Sequence, residues 1–175
     1  NDASDGARSF RRDEDLCIGG TDISTSGGTG TTCDTNKPYE GIGVLYNWAA
    51  ATAQNTEAAS KTTEVSTSIC PKGWRLPAYL GDYSFSTLMG SYSLPTTDQN
   101  QGYSGQLQNP LNFNRPGNYG WSNGALNFRG TSGNFWSSVG HSSTNARLLS
   151  FYFNSFYPQV GYPKGHGFSV RCVAV

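Results

Sequence analysis

The chain has 175 residues, 35% hydrophobic and only 14% charged, with 22 Gly, 8 Pro and a formal net charge of zero. That is one domain's worth of chain, long enough to bury a core, and its Gly and Pro content favours turns and ordered loops over helix. No apolar run approaches the roughly 20 residues of a membrane span, and the five basic residues beyond Asp98 are dispersed, which argues against a bilayer crossing and a nucleic-acid stripe.

Residues 1–16 are polar and charged, with Arg11, Arg12, Asp13, Glu14 and Asp15 in a row, and read as a flexible lead-in. The chain opens at Asn1 without Met or a signal-like stretch, as expected of a processed product or an excised domain. The domain proper is expected to begin at Cys17 and run to residue 175. Residues 19–36 are nearly all Gly, Ser, Thr and Asp and read as a loop. Gly41 to Trp48 looks like a strand, and Trp48 to Ala53 a short helix. Residues 54–68 return to polar loop, and Ile69 to Pro77 reads as a turn entering a short extended piece. Leu80, Tyr83, Leu88 and Met89 suggest a weak helix stopped by Gly90. Residues 91–124, rich in Gly, Asn, Gln and Pro, read as a long ordered insertion. Three strands are expected after it, over Ala125–Arg129, Arg147–Phe153 and Phe168–Val173.

All twelve carboxylates lie at or before Asp98, beside seven basic residues, so this part carries −5 and the remainder +5. General acid–base chemistry and calcium sites lean on carboxylates, and the last 77 residues supply none. Ser137, Ser138, Ser142 and Ser143 therefore lack an acid in this half to orient a base for nucleophilic catalysis. His141 and His166 alone make a weak metal motif, because no third ligand can be placed. No metal and no cofactor is expected.

Cys17, Cys33, Cys70 and Cys172 permit three pairings, and none forms the Cys-x-x-Cys of a zinc ribbon. Two disulfides formed in an oxidising compartment are the expected reading. Cys17 with Cys33 would close a local loop; Cys70 with Cys172 would tie mid-chain to the last strand. Trp74 and Trp136 are expected in packed positions. Arg75 and Arg171 are expected to brace loops by bonding backbone carbonyls.

Between Ser150 and His166 there are six aromatics in seventeen positions, and Lys164 is the only charge. Aromatic rings mixed with Gly, Ser and Asn have the chemistry of a paratope. Strand alternation points Leu149, Phe151 and Phe153 to the core and Leu148, Ser150, Tyr152 and Asn154 outward. Phe156, Tyr157, Gln159, Gly161 and Tyr162 fall in what reads as a Pro-punctuated loop. Exposed binding is expected above all of Tyr152, Phe156, Tyr157 and Tyr162.

Four segments carry a family resemblance. Ile69-Cys70-Pro71-Lys72-Gly73-Trp74-Arg75-Leu76-Pro77 and Gly167-Phe168-Ser169-Val170-Arg171-Cys172-Val173, with Gly43-Val44-Leu45-Tyr46-Asn47-Trp48-Ala49-Ala50 and Phe135-Trp136-Ser137-Ser138, resemble the Fibrobacter succinogenes major paralogous domain, in its order, from about residue 41 to the end. The resemblance implies an α+β, C-type-lectin-like fold, β-rich with one or two short helices and long ordered loops. It also implies a structural disulfide at Cys172. Within that fold, residues 139–166 resemble the variable region of proteins diversified by retroelements that mutate template adenines. The positions this implies for ligand contact are Val139, His141, Leu148, Ser150, Tyr152, Asn154, Phe156, Tyr157, Val160, Gly161, Tyr162 and His166.

Sugar-binding C-type lectins hold calcium with Glu-Pro-Asn or Gln-Pro-Asp and a Trp-Asn-Asp. Here Ser137 and Ser138 follow Trp136, so that route is not expected. The formylglycine-generating enzymes that share the fold need two reactive cysteines near the C-terminus, where this chain has Cys172 only. The implied function is non-enzymatic recognition of a protein or glycoprotein on another cell or a virus, with no nucleic-acid partner. The domain would belong to a larger extracellular, cell-surface or virion protein. The alternative is an undiversified secreted structural or adhesin domain whose aromatic face packs on a neighbouring domain or subunit.

Overall fold

A computed structural model describes residues 44–53, 63–94, 111, 113–152 and 155–175, together with the backbone of 9–10, 17–18 and 21–22. In chain order the elements are β1 (Ser9–Phe10), β2 (Cys17–Ile18), β3 (Thr21–Asp22), β4 (Leu45–Tyr46), α1 (Trp48–Ala51), β5 (Trp74–Arg75), α2 (Phe85–Ser91), β6 (Asn118–Tyr119), β7 (Leu126–Asn127), β8 (Gly133–Gly140), β9 (Asn145–Phe151), β10 (Phe156–Pro163) and β11 (Val173–Ala174). The protein is α+β: β-rich, with two short helices and small antiparallel sheets. No helix among the described residues is long and apolar enough to cross a membrane.

Both helices begin at side-chain caps. Asn47 accepts from the Ala50 N–H, and Ser84 accepts from the Thr87 N–H at 3.1 Å. Helix α1 is shorter than the expected run to Ala53, because Thr52 turns its hydroxyl back onto the Trp48 carbonyl at 2.7 Å and Ala53 takes a positive φ of 53°. Helix α2 starts after Leu80 and Tyr83, which lie exposed outside it, and it runs through Gly90. The left-handed residue after the helix is Ser93, at φ 56°, in the place usually given to glycine.

The largest sheet has the order β10-β9-β8. Its outer β8 edge is met by the 167–169 segment, where the Trp136 N–H donates to the Ser169 carbonyl at 3.0 Å and the Ser169 N–H to the Asn134 carbonyl at 3.1 Å. The strand expected over Phe168–Val173 is thus a set of single bridges at 167–169, followed by β11 paired with β5.

Both faces of this sheet are covered. On one, Phe135, Leu149, Phe151 and Phe156 pack with Phe85, Met89 and Phe113. On the other, Trp136, Ala146 and Leu148 pack with Trp48, Leu76 and Phe168. Strand β8 is buried along its whole length, and its polar side chains find partners. Ser137 Oγ donates to the Arg147 carbonyl at 2.8 Å, and Ser138 Oγ to the Pro77 carbonyl at 3.2 Å. The buried indoles are satisfied too: Trp48 Nε1 donates to the Ser137 carbonyl at 3.0 Å and Trp136 Nε1 to the Tyr46 carbonyl at 2.7 Å.

Cys70 and Cys172 form a disulfide across 102 residues. The Cys17–Cys33 pairing lies outside the described residues. So does the expected lead-in, apart from Ser9–Phe10, whose backbone pairs with β4. Trp74 departs from expectation. It is 50% exposed, because β5 is a two-residue strand at the rim, with only β11 beside it. Arg75 braces the same rim. Its guanidinium pairs with Glu64 and lies 5.8 Å from the centre of the Tyr83 ring, and its Nε donates to the Leu76 carbonyl at 3.3 Å.

Candidate functional site

The segment read as a Pro-punctuated loop is strand β10. Proline is tolerated there because β10 is the edge strand and its register shifts between Tyr157 and Val160, a bulge that takes in Pro158. Gln159 then ties the bulge down. Its side-chain amide donates to the Tyr79 carbonyl and to Ser86 Oγ at 2.6 Å, while its own carbonyl accepts from Arg147 Nη1 at 2.8 Å. Arg147 in turn lies over the Tyr79 ring at 4.3 Å.

The register decides which rings keep company. Tyr157 stands opposite Ser150, Val160 opposite Leu148 and Tyr162 opposite Ala146. Side chains alternate along a strand, so these residues share one face, and Tyr152, two residues beyond Ser150, continues it. The Tyr152 N–H closes the β9–β10 turn on the Ser155 carbonyl at 2.9 Å. Tyr152 and Tyr157 are half-buried and Tyr162 is 36% exposed. Burial pushes the Tyr152 phenol above its ordinary range, Tyr162 and Tyr157 add to the shift, and a hydrogen bond with Ser150 opposes it. Each of the three rings carries a hydroxyl beside an apolar face.

Four of the predicted contact residues are interior instead. Leu148 is 0% and Phe156 1% exposed, and Val139 and Ser150 are also buried. Alternation would expose Leu148 and Ser150 only if one side of the sheet met solvent. Here the second face packs on α1, Leu76 and Phe168, and Ser150 Oγ donates to Asn134 Oδ1 at 2.8 Å. Phe156 sits opposite Phe151 and points into the other cluster. Asn154 lies outside the described residues.

The remaining predicted positions reach the surface in two groups. His141 is exposed, and its ring lies directly over Gly161, so that a Cβ there would have to push this surface side chain aside. His166 stacks on Phe168 with centroids 5.6 Å apart and meets Tyr162 edge-on at 5.0 Å. Burial lowers the His166 pKa to about 4, so the ring is neutral at ordinary pH. The two histidines thus lie against successive β10 residues, His141 over the backbone of Gly161 and His166 against the Tyr162 ring, on opposite faces of the strand. Lys164 is buried: its ammonium donates to the carbonyls of Ser142 at 2.9 Å and Ser143 at 3.3 Å and lies 4.6 Å from the centre of the Trp48 ring. Burial brings its pKa down to about 8.

Trp121 was missed from sequence. It sits on the turn between β6 and β7, half-buried, with its ring edge-on to His166 at 6.4 Å. The signal was present: Asn118-Tyr119-Gly120-Trp121-Ser122-Asn123-Gly124 carries the Gly and Asn of a tight turn, which would put an aromatic at its tip. The face as a whole offers rings, hydroxyls and a neutral imidazole, a surface suited to contact and hydrogen bonding. No family model matches the chain, and neither a curated protein nor a solved structure is significantly similar to it.

Proposed function

We propose that this chain is a non-enzymatic ligand-recognition domain of C-type-lectin-like fold, whose exposed β10 side chains are diversified by a retroelement. The observation that carries the reading is the row Tyr152, Tyr157 and Tyr162, three partly exposed rings on one face of the β9–β10 pair, whose outer strand is held in place by the Gln159 and Arg147 bonds. Tyrosine gives large contact area with few rotatable bonds, so ordering it on contact costs little entropy. Low local charge lowers the desolvation cost. The ligand in this reading is a protein or glycoprotein on another cell or a virus, and the carrier is an extracellular surface or virion adhesin; the Cys70–Cys172 disulfide suits an oxidising compartment.

Sequencing the locus in sibling isolates tests this. Substitutions should concentrate at His141, Tyr152, Tyr157, Val160, Gly161, Tyr162 and His166 and spare Leu148 and Phe156. A near-identical template repeat differing at adenines should lie beside the gene, with a reverse transcriptase. Substitutions scattered evenly along the chain, with no such repeat, would sink the proposal.

A further inference from the structure

We infer that Trp121 is a ligand-contacting residue of the same face, so that the binding surface joins an undiversified hairpin turn to the variable strand. This rests on the recognition reading above. Trp121 lies outside 139–166, yet its ring reaches His166 at 6.4 Å, and His166 reaches Tyr162 at 5.0 Å. The three rings form a contiguous patch backed by Phe168, which packs on buried Trp136 at 4.7 Å.

The turn that carries Trp121 is built to hold it there. The Gly120 N–H donates to the Ala125 carbonyl at 2.8 Å, and the Gly124 N–H to the Gly120 carbonyl at 2.9 Å. Gly124 takes a positive φ of 64°, and at Gly120 a Cβ would collide with the Asn123 side chain. Tyr119 and Gly167 exchange two backbone hydrogen bonds, each 2.9 Å, which fastens the hairpin beside His166. A half-buried indole on so constrained a backbone loses little freedom on binding, and tryptophan is among the residues that most often carry interface energy.

Three of the described cations are engaged by rings outside this patch. Lys164 is buried over Trp48, Arg147 lies over Tyr79, and Arg171 lies over Phe113 at 4.4 Å. The surface so formed suits an uncharged, partly apolar patch of a protein ligand.

The test uses the full chain with lysozyme as the probe protein. A library randomised at Tyr152, Tyr157 and Tyr162 is displayed with Trp121 retained and selected for lysozyme binding. In the selected clones Trp121→Ala is expected to weaken binding by about tenfold or more with the melting temperature unchanged. Trp121→Phe, which keeps an edge for His166, should lose about threefold; it decides the matter if the alanine variant melts early. Affinity retained within about twofold by the Trp121 variants, in clones where alanine at 157 or 162 abolishes binding, overturns the Trp121 assignment and leaves the tyrosine face standing. Clones indifferent to alanine at 152, 157 and 162 remove the face itself and this inference with it.

Discussion

Phe156 and Tyr157 are neighbours on one strand with opposite fates. The first ring is sealed between Phe151 and α2; the second is half-open on the other face. Phe156→Ala should therefore cost about 3–5 kcal/mol of stability, while Tyr157→Ala and Tyr162→Ala should leave the melting temperature nearly unchanged. Thermal denaturation of the three variants checks this, and a large loss at Tyr157 or Tyr162 would make those rings core. His166 gives a second prediction at this scale. Its folded pKa of about 4 lies below the ordinary 6.5, so the folded state prefers the neutral ring. The unfolded chain binds the proton first. The contribution of His166 is therefore fully present above pH 6.5 and is lost as the pH falls to about 4. For a partly exposed ring this difference is on the order of 1 kcal/mol. Urea unfolding between pH 7 and pH 4 should show a smaller loss in His166→Gln than in the parent, and the His166 ring should titrate near pH 4 by NMR.

At the scale of the element, β10 is a strand only because its neighbours make it one. Pro158 and Pro163 break the alternating pattern, and Gly161 adds no side chain to it. Isolated, the stretch carries every mark of a loop, which is how its composition reads. Pairing with β9 supplies the backbone partners, the bulge absorbs Pro158, and Gln159 reaches α2 through Ser86. Close approach matters as much in β8. At Gly133 a Cβ would strike the Phe151 ring and come within 2.7 Å of the Asn114 carbonyl. Gly133→Ala should therefore destabilise by about 1–3 kcal/mol, read as a lower urea midpoint with an unchanged m-value. A neutral result would mean that β8 and β9 can part without cost.

Among the described residues, two hydrophobic clusters on either side of one sheet and the Cys70–Cys172 bond hold the molecule together. The Cys70–Cys172 bond closes a loop of 102 residues that contains the sheet, α2 and the β6–β7 hairpin. The double variant Cys70→Ser, Cys172→Ser should lose roughly 4–5 kcal/mol on the chain-entropy account. Equilibrium unfolding of that variant against the parent checks the figure, and a loss below about 1 kcal/mol would mean the clusters alone constrain the chain. The same architecture supports recognition: rings at 121, 152, 157 and 162 rest on strands and a closed turn, so their backbone need not move to meet a ligand.

Local chemistry was enough for much of this. The run from Trp48 to Ala53 announced a short helix, Leu149 and Phe151 a strand with a core face, and the aromatic density after Ser150 the segment where rings reach the surface. Those signals are carried by a few adjacent residues and survive in one dimension. What the tertiary structure decided was which rings meet solvent. Leu148 and Ser150 are buried because a second layer, α1 with Phe168, covers the face that alternation left open. Trp121 joins Tyr162 because the Tyr119–Gly167 bonds bring two distant segments together. Exposure is a property of what packs on a residue, and the partners here lie tens of residues away along the chain, where no local pattern records them.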